Sequence, residues 1–472
     1  MTREKCGIVG IQGKVENIEN ITFTLMNSLQ HRGQEGTGIA FFKENTFDRI
    51  VVRGLVKDLF SLNEISKLNG ATSLIGHIRY STTGSDEISN LQPLVSKTID
   101  NKTIALAHNG NITNALQIRN NLMKKGHSFS TTTDSEVMLH YIVKEYNKTL
   151  DIIQSIENTI KTFEGAFSIV ILIENKVIAF RDRHGFRPLV FGKKNKTWFI
   201  ASEDTALKSI DIFEYEEVLP GEIVMFDKDK VVRKKTSPNS TLSHCIFELV
   251  YFAKPSSNVF SESVYKFRYE CGKKLAEYDK NEKFDGIIPV PDSGLIASIG
   301  YSEVKKIPII MGLIRSHFTG RSFIQPNQNM RDGIVKTKFF VPTEIVKNKK
   351  IVLIDDSIVR GTTMKRIVEL LKKNGVREVH LRIASPPVKY PCYFGIDFPS
   401  YSELIANQKT IHEIQNYLNV ESLKYLKLED MLNCVKNSKN FCTSCFSGIY
   451  KIKAKYTTKN IFEKNTFEVK RL

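Results

Sequence analysis

Residues 351–363 read Ile-Val-Leu-Ile-Asp-Asp-Ser-Ile-Val-Arg-Gly-Thr-Thr, and this run constrains the fold more than any other part of the chain. Four consecutive apolar residues suit a strand buried on both faces, as inside a parallel sheet. Asp355 and Asp356 then fall at the strand's C-terminal end, where open α/β sheets hold their ligands. Ser357, Gly361, Thr362 and Thr363 are small or hydroxyl-bearing, so backbone N–H groups can converge there on a phosphate. A helix follows, with Met364, Ile367, Val368 and Leu371 on one face and Gly375 where a C-terminal cap belongs. Its N-terminus aims the positive end of the helix dipole into the same loop. Carboxylates for hydroxyls and a divalent cation, beside a nest for a phosphate, make a site for a phosphorylated sugar. An ordinary strand–turn–helix with its aspartates capping the helix is the plainer alternative.

The rest of the chain gives that motif a setting. A length of 472 residues suggests two large domains, and 41% hydrophobic residues suffice for sizeable cores. Residues 7–11, 74–80, 104–108, 166–173 and 176–181 read as strands, and 135–146 and 152–163 as helices. That mixture points to an antiparallel α+β layer structure. From about residue 260 the pattern alternates: a helix over 264–278, a strand over 286–290, and further alternation through 378–384. This predicts a parallel, doubly wound sheet. Residues 237–240 read as a linker, and beyond Pro386-Pro387 the chain is expected to be mostly helical.

The formal charge of +17 invites a nucleic-acid reading, but Lys and Arg are spread along the chain and interleave with Asp and Glu. Solvated lysine faces and a substrate carrying several phosphates account for it better, and no nucleic-acid partner is expected. No stretch approaches the roughly 18 apolar residues a membrane span needs. The first five residues lack a signal-peptide apolar core. A cytoplasmic protein with no membrane partner is therefore expected.

Four clusters in the first half carry chemistry together: Cys6-Gly7-Ile8-Val9-Gly10, Gly76-His77-Ile78-Arg79-Tyr80-Ser81-Thr82, His108-Asn109-Gly110-Asn111 and Thr133-Asp134-Ser135-Glu136. Singly they are dull. Cys6 could be a small buried hydrophobe, Asn109-Gly110 a hairpin turn, and Thr133 with Glu136 a helix capping box. In this order they resemble the glutaminase domain of class II glutamine amidotransferases, an N-terminal-nucleophile fold covering residues 6–240. The resemblance implies Cys6 as nucleophile, with its own α-amino group as base, since such an amine has an unperturbed pKa of about 7.7–8.0. It implies Asn109 and the Gly110 backbone N–H as oxyanion hole, Arg79 as clamp for the glutamine carboxylate, and Asp134 as partner of the α-ammonium. Met1 to Lys5 precede Cys6, so residues 1–5 are expected to be a cleaved propeptide.

Residues 241–472 resemble a type I phosphoribosyltransferase domain whose C-terminal segment is helical. On that resemblance Asp355 and Asp356 contact ribose hydroxyls and metal, while Ser357, Arg360, Gly361, Thr362 and Thr363 hold the 5-phosphate of 5-phosphoribosyl-1-pyrophosphate (PRPP). Ser293, in Pro291-Asp292-Ser293-Gly294, joins the two aspartates around Mg²⁺. Residues 317–338 resemble the family's catalytic loop, whose Arg321, Arg331 and Lys336 suit a pyrophosphate leaving group.

Of the seven cysteines, Cys442 and Cys445 form a C-x-x-C pair, ambiguous among iron–sulfur, zinc and redox roles. The segments around Cys392 and Cys442 resemble the cluster-ligand segments of iron–sulfur glutamine PRPP amidotransferases. By position the [4Fe–4S] ligands are Cys245, Cys392, Cys442 and Cys445, with four-thiolate zinc as the alternative. Cys271 and Cys434 are left as ordinary thiols, and disulfides are not expected in a reducing cytoplasm. With both halves in one chain, the resemblance implies glutamine hydrolysis coupled to amination of PRPP at C1, giving 5-phosphoribosylamine at the start of purine synthesis. It further implies a homotetramer and purine nucleotides as feedback inhibitors. The rivals are a PRPP-binding regulator without catalysis and another class II amidotransferase with a different acceptor.

Overall fold

The computed structural model describes residues 6–80, 87–227, 230–237, 240–316, 339–396, 398 and 400–452. The propeptide expected at 1–5 and the basic residues Arg321, Arg331 and Lys336 lie outside the described residues, as do Ser81 and Thr82.

The first half is a four-layer stack, helices outside and two antiparallel sheets inside. One sheet has seven strands, in which Gly7–Gln12 lies between Thr197–Ala201 and Ser73–Arg79. The other has six, with Gly165–Ile173 between Lys176–Arg181 and Thr103–Ile112. All six residues of Gly7–Gln12 are buried, because Ile8 faces the inter-sheet core while Val9 and Ile11 pack under the outer helices. The inter-sheet layer is rich in small residues such as Ala40, Ala105, Ala107 and Ala179, which lets the sheets close on one another. Ile18–Ser28 covers one outer face, and Asp134–Thr149 with Ile152–Thr162 covers the other.

The second half holds four parallel strands in the order Gly286–Pro289, Lys350–Asp355, Glu378–Ile383 and Ser422–Tyr425. Ile351–Ile354 are buried on both faces, as the apolar run requires. One face packs on Val264–Ala276 and Leu295–Lys305; these two helices approach so closely that a Cβ on Gly272 would stand 1.9 Å from the Ala297 carbonyl oxygen. The other face packs on Thr362–Lys373 and Ile411–Leu418. Met364, Ile367, Val368 and Leu371 are the buried stripe of Thr362–Lys373, and Gly375 follows it at φ +85°. The C-terminal segment is less uniform than expected: between its short helices it supplies the fourth parallel strand, Ser422–Tyr425. It also supplies a two-residue strand, Phe441–Cys442, paired in parallel with His244–Cys245.

Asp279 ties this sheet to its helices. It is fully buried and accepts from Arg382 Nε and Nη2 at 2.6 and 2.8 Å, from Lys424 Nζ at 2.6 Å and from Tyr301 Oη at 2.6 Å. Burial alone would raise its carboxyl, but the Arg382 and Lys424 partners outweigh it and bring it down to about 2. A depressed carboxyl pKa stabilises above the unfolded value and loses that contribution as pH falls through the folded one. Asp279→Ala should cost about 3–5 kcal/mol, because it strands a buried guanidinium. Denaturant unfolding of the variant would check this. The parent should lose Asp279's contribution between about pH 4 and pH 2, a window absent in the variant.

Candidate functional site

The start of strand Gly7–Gln12 sets the first site. Gly7 pairs with Ile78, so Cys6 and Arg79 leave the sheet side by side. Both are buried, and the Cys6 thiol donates to the Tyr80 carbonyl at 3.4 Å. Burial pushes that thiol up to about 11; the Arg79 charge draws it down, while Glu35 and Asp134 oppose. Asn109 and Gly110 come from the facing sheet, on Thr103–Ile112. Across the gap, the His77 ring Nε2 lies 3.1 Å from the His108 carbonyl. Burial drives the His77 ring down to about 3, so it is neutral there. Asn109 is buried and its Nδ2 has no hydrogen-bond partner among the described residues, a donor left free to meet an anion. At Gly110 any Cβ would stand 1.9 Å from the Ala166 carbonyl oxygen, so only glycine brings this backbone so close.

Asp134 opens helix Asp134–Thr149 and accepts from the Ile112 N–H at 2.9 Å, which anchors it to the strand bearing Asn109. Thr133 caps the helix by accepting from Glu136 N at 3.3 Å. The Glu136 carboxylate turns to Ser130 and Thr131 instead of back to Thr133, so only half of the capping box forms.

The second site is a cavity of about 340 Å³ at the C-terminal ends of the parallel strands. Ser293, Asp355, Asp356, Ser357, Arg360, Gly361, Thr362 and Thr363 all line it. Ser293 Oγ donates to Asp355 Oδ1 at 2.8 Å, and Ser357 Oγ to Asp356 Oδ2 at 2.7 Å. Burial raises both aspartates, the neighbouring Asp356 charge raises Asp355 further and the Arg268 charge draws Asp356 down; two adjacent carboxylates so placed could hold a divalent cation. Gly361 caps Thr362–Lys373 at φ +77°, a left-handed conformation that favours glycine. Arg360 also forms an exposed ion pair with Glu403 at 3.1 Å.

Between the two sites runs a buried ionic seam. Arg32 Nε donates to the Cys6 carbonyl at 3.2 Å; Nη1 donates to Glu203 at 2.5 Å and Nη2 to Glu248 at 2.9 Å. Arg187 donates to Glu248 at 3.1 Å and to the Phe394 carbonyl at 2.5 Å. Burial would raise the Glu203 carboxyl, but His31 and Arg32 hold it well below the ordinary range. His31, with Nε2 2.7 Å from Glu203, lines the second cavity from the first half of the chain.

The cysteines adjoin this seam. The Phe441–Cys442 strand sets Cys442 opposite Cys245, and burial pushes the Cys392 and Cys442 thiols up to about 11 and about 12. Cys445 is raised by burial and by Cys392, Cys245 and Cys442, so the four sulfurs share one region, and Arg187 offsets Cys245 and Cys392. Among the described residues no three His, Cys, Asp or Glu side chains are gathered to hold a single metal ion. Four thiols brought to one region are a donor set that both a tetrahedral zinc ion and a polynuclear iron–sulfur cluster take. The segment after Cys392 reaches the first site directly. Asn111 Nδ2 donates to the Tyr393 carbonyl at 3.0 Å, and a Cβ on Gly395 would stand 2.8 Å from the Gly110 carbonyl carbon.

Sequence reading missed Arg268, His31 and Lys254, which also line the cavity, and the whole Arg32–Glu203–Glu248–Arg187 seam. One signal was available: Glu248 is a lone carboxylate in an otherwise apolar run over 246–252, a pattern that demands a buried cation. Arg268 gave none, since a single arginine on a mixed helix reads as solvated.

Comparison with known proteins agrees with this geometry. The glutamine amidotransferase domain family matches residues 77–209, and the phosphoribosyl transferase domain family matches residues 263–384. The amidophosphoribosyltransferase of Methanothermobacter thermautotrophicus is 41% identical over 452 residues, 95% of this chain and 94% of that protein. The Bacillus subtilis amidophosphoribosyltransferase is 37% identical, covering 95% of this chain and 94% of its own length. A solved structure of the B. subtilis glutamine PRPP amidotransferase, complexed with ADP and GMP, superposes with a TM-score of 0.88 at 36% identity, over 96% of this chain and 99% of that one. Fold and sites thus define a glutamine amidotransferase joined to a phosphoribosyltransferase. The chain belongs to the amidophosphoribosyltransferase family.

The Gly395 contact yields a test. Gly395→Ala puts a methyl against the Gly110 backbone at a φ of +90° and should displace the strand carrying Asn109. A shift of about 1 Å can cost on the order of 10²-fold in rate. Glutamine-dependent turnover should fall by about that factor, while turnover with ammonium chloride is retained.

Proposed function

We propose that this enzyme converts PRPP, glutamine and water to 5-phosphoribosylamine, glutamate and pyrophosphate, the first committed step of purine (IMP) synthesis. The observation that carries the reading is that successive residues serve the two sites: His31 lines the sugar-phosphate cavity and Arg32 holds the Cys6 carbonyl. Two sites built on one buried seam suit a reaction in which one makes ammonia and the other consumes it.

A thiol at about 11 is protonated at neutral pH, so Cys6 needs a base. Removal of residues 1–5 would create one, the α-amino group of Cys6 itself. The sulfur then attacks the amide carbon of glutamine, whose carboxylate and ammonium are bound by Arg79 and Asp134. The oxyanion is met by Asn109 Nδ2 and the Gly110 N–H. Ammonia leaves with the thiol proton, and water hydrolyses the thioester to glutamate. In the cavity, residues 357–363 bind the 5-phosphate through backbone N–H groups and hydroxyls, and Asp355 and Asp356 orient the ribose. Ammonia attacks C1 as pyrophosphate departs, and Arg321, Arg331 and Lys336 assist the leaving group. Mg²⁺, held by Asp355, Asp356 and Ser293, would supply positive charge at the departing pyrophosphate. Cys245, Cys392, Cys442 and Cys445 would hold a [4Fe–4S] cluster as a structural tie across the seam.

The same reading makes the enzyme a cytoplasmic homotetramer under purine-nucleotide feedback. Its regulatory part is supported by the ADP and GMP bound to the B. subtilis structure.

The test is PRPP-dependent pyrophosphate release by anaerobically purified protein with Mg²⁺, first with glutamine and then with ammonium chloride. Release with both, and glutamate only with glutamine, is expected; no release with either overturns the proposal. Asn109→Ala should lower glutamine-dependent kcat by about 10²–10³-fold and leave ammonia-dependent kcat unchanged. Intact mass of active protein should begin at Cys6; retention of residues 1–5 in glutaminase-active protein would refute the processing step.

A further inference from the structure

His108, the residue before Asn109, is held at three points. Its strand, Thr103–Ile112, pairs with Leu94–Lys97 only as far as Leu94 opposite Leu106, so past that pair one edge of the strand has no neighbour. Side chains take the neighbour's place. The His108 N–H donates to Gln92 Oε1 at 2.7 Å, and the His108 carbonyl accepts from His77 Nε2 at 3.1 Å. The ring Nδ1 of His108 lies 2.9 Å from Ser135 Oγ. All four of these side chains are buried. We propose that His108 is a positioning residue of the glutaminase reaction: clamped by Gln92, His77 and Ser135, it fixes the Asn109 amide where the oxyanion forms and ties it to Asp134.

The proton on each bond follows from what each group can give. Gln92 uses its carbonyl on the His108 N–H, so its amide nitrogen faces Ser135 Oγ and donates at 3.1 Å. Ser135 Oγ also stands 3.3 Å from Asp134 Oδ1, a carboxylate oxygen that only accepts. The hydroxyl has one proton. All three contacts are made only if that proton goes to Asp134 and His108 donates through Nδ1–H. Burial pushes the His108 ring below its ordinary value, against the pull of Asp134 and the Ala166 carbonyl, so the ring is a neutral donor.

The network joins both ends of the glutamine pocket. The other Asp134 oxygen accepts at 2.9 Å from the N–H of Ile112, four residues beyond His108 on the same strand. A shift of that strand therefore moves the Asn109 amide and the Asp134 carboxylate together. His77 brings in a third element, since its strand also carries Arg79. Asn109 Nδ2 has no partner among the described residues, so its place depends on the backbone that carries it. His108 bears on catalysis only if Asn109 meets the oxyanion, as the proposed function has it.

Two substitutions separate position from packing. His108→Asn keeps a donor at the Nδ1 position and loses ring volume, whereas His108→Leu keeps the volume and loses the donor. With glutamine, kcat should stay close to the parent in the first and fall on the order of 10²-fold in the second. KM for glutamine should hardly change, because an oxyanion donor acts in the transition state. Ser135→Ala should lower kcat about tenfold and also raise KM for glutamine, since Asp134 loses a donor. Turnover with ammonium chloride should match the parent in all three. Leucine equal to or better than asparagine would reduce the site to packing and overturn the proposal, as would parental glutamine kinetics in Ser135→Ala. Ammonia-dependent turnover lost in step with glutamine-dependent turnover would mark a general structural role and overturn it too. Parental glutamine kcat in Asn109→Ala is the separate outcome that removes the oxyanion role itself, and the role of His108 with it.

Discussion

Two arginines and two glutamates, all removed from water, are what the two halves of this enzyme share. Each of these charges would be costly alone, and breaking one buried pair typically costs about 3–5 kcal/mol because its partner is left uncompensated. Arg32 is satisfied only when Glu203, from the first half, and Glu248, from the start of the second, are both in place. Arg187 repeats the arrangement, bridging Glu248 to the Phe394 carbonyl. The position of Cys6 follows from the seam, since Arg32 grips its carbonyl, and the cavity wall follows from it too, since Glu203 accepts from the Lys254 N–H and the Ser257 hydroxyl. Electrostatics here fixes geometry more than it adds stability.

The sugar-phosphate cavity works by the opposite logic. Asp355 and Asp356 are crowded together at a buried strand end with donors from Ser293 and Ser357, and burial raises both. Where the seam balances every charge, the cavity holds two buried carboxylates whose charge a bound cation would relieve. The orphaned Asn109 amide is the corresponding surplus donor at the other site. The proposed chemistry draws on these two local imbalances, and the balanced seam lies between them.

Much of this was legible in the residues. The apolar run at 351–354 placed the central parallel strand, and the stripe from Met364 to Leu371 placed the helix behind the phosphate loop, because both are local patterns with a single burial solution. Ser422–Tyr425 escaped notice for a physical reason. It is an edge strand on which Leu423 and Tyr425 face the core while Lys424 reaches Asp279, so it lacks the continuous apolar run that marks an interior parallel strand. The seam escaped because its members lie far apart in sequence, and an arginine such as Arg32 looks the same in the chain whether it is solvated or fully buried. Only the lone Glu248 among apolar neighbours hinted at it.

The short parallel ladder between His244–Cys245 and Phe441–Cys442 has a consequence in time. At synthesis rates of roughly 5–20 residues per second, the second strand emerges on the order of 10–40 s after the first. Through most of that interval the first half can assemble its sheets, but Phe394 and Gly395, which accept from Arg187 and lie against Gly110, do not yet exist as chain. The four charges of the seam are all synthesised by Glu248, whereas the carbonyl that completes Arg187 comes only with Phe394, so the glutaminase pocket is finished by the second half of the polypeptide. A ribosome that stops early leaves a folded layer structure with an open wall.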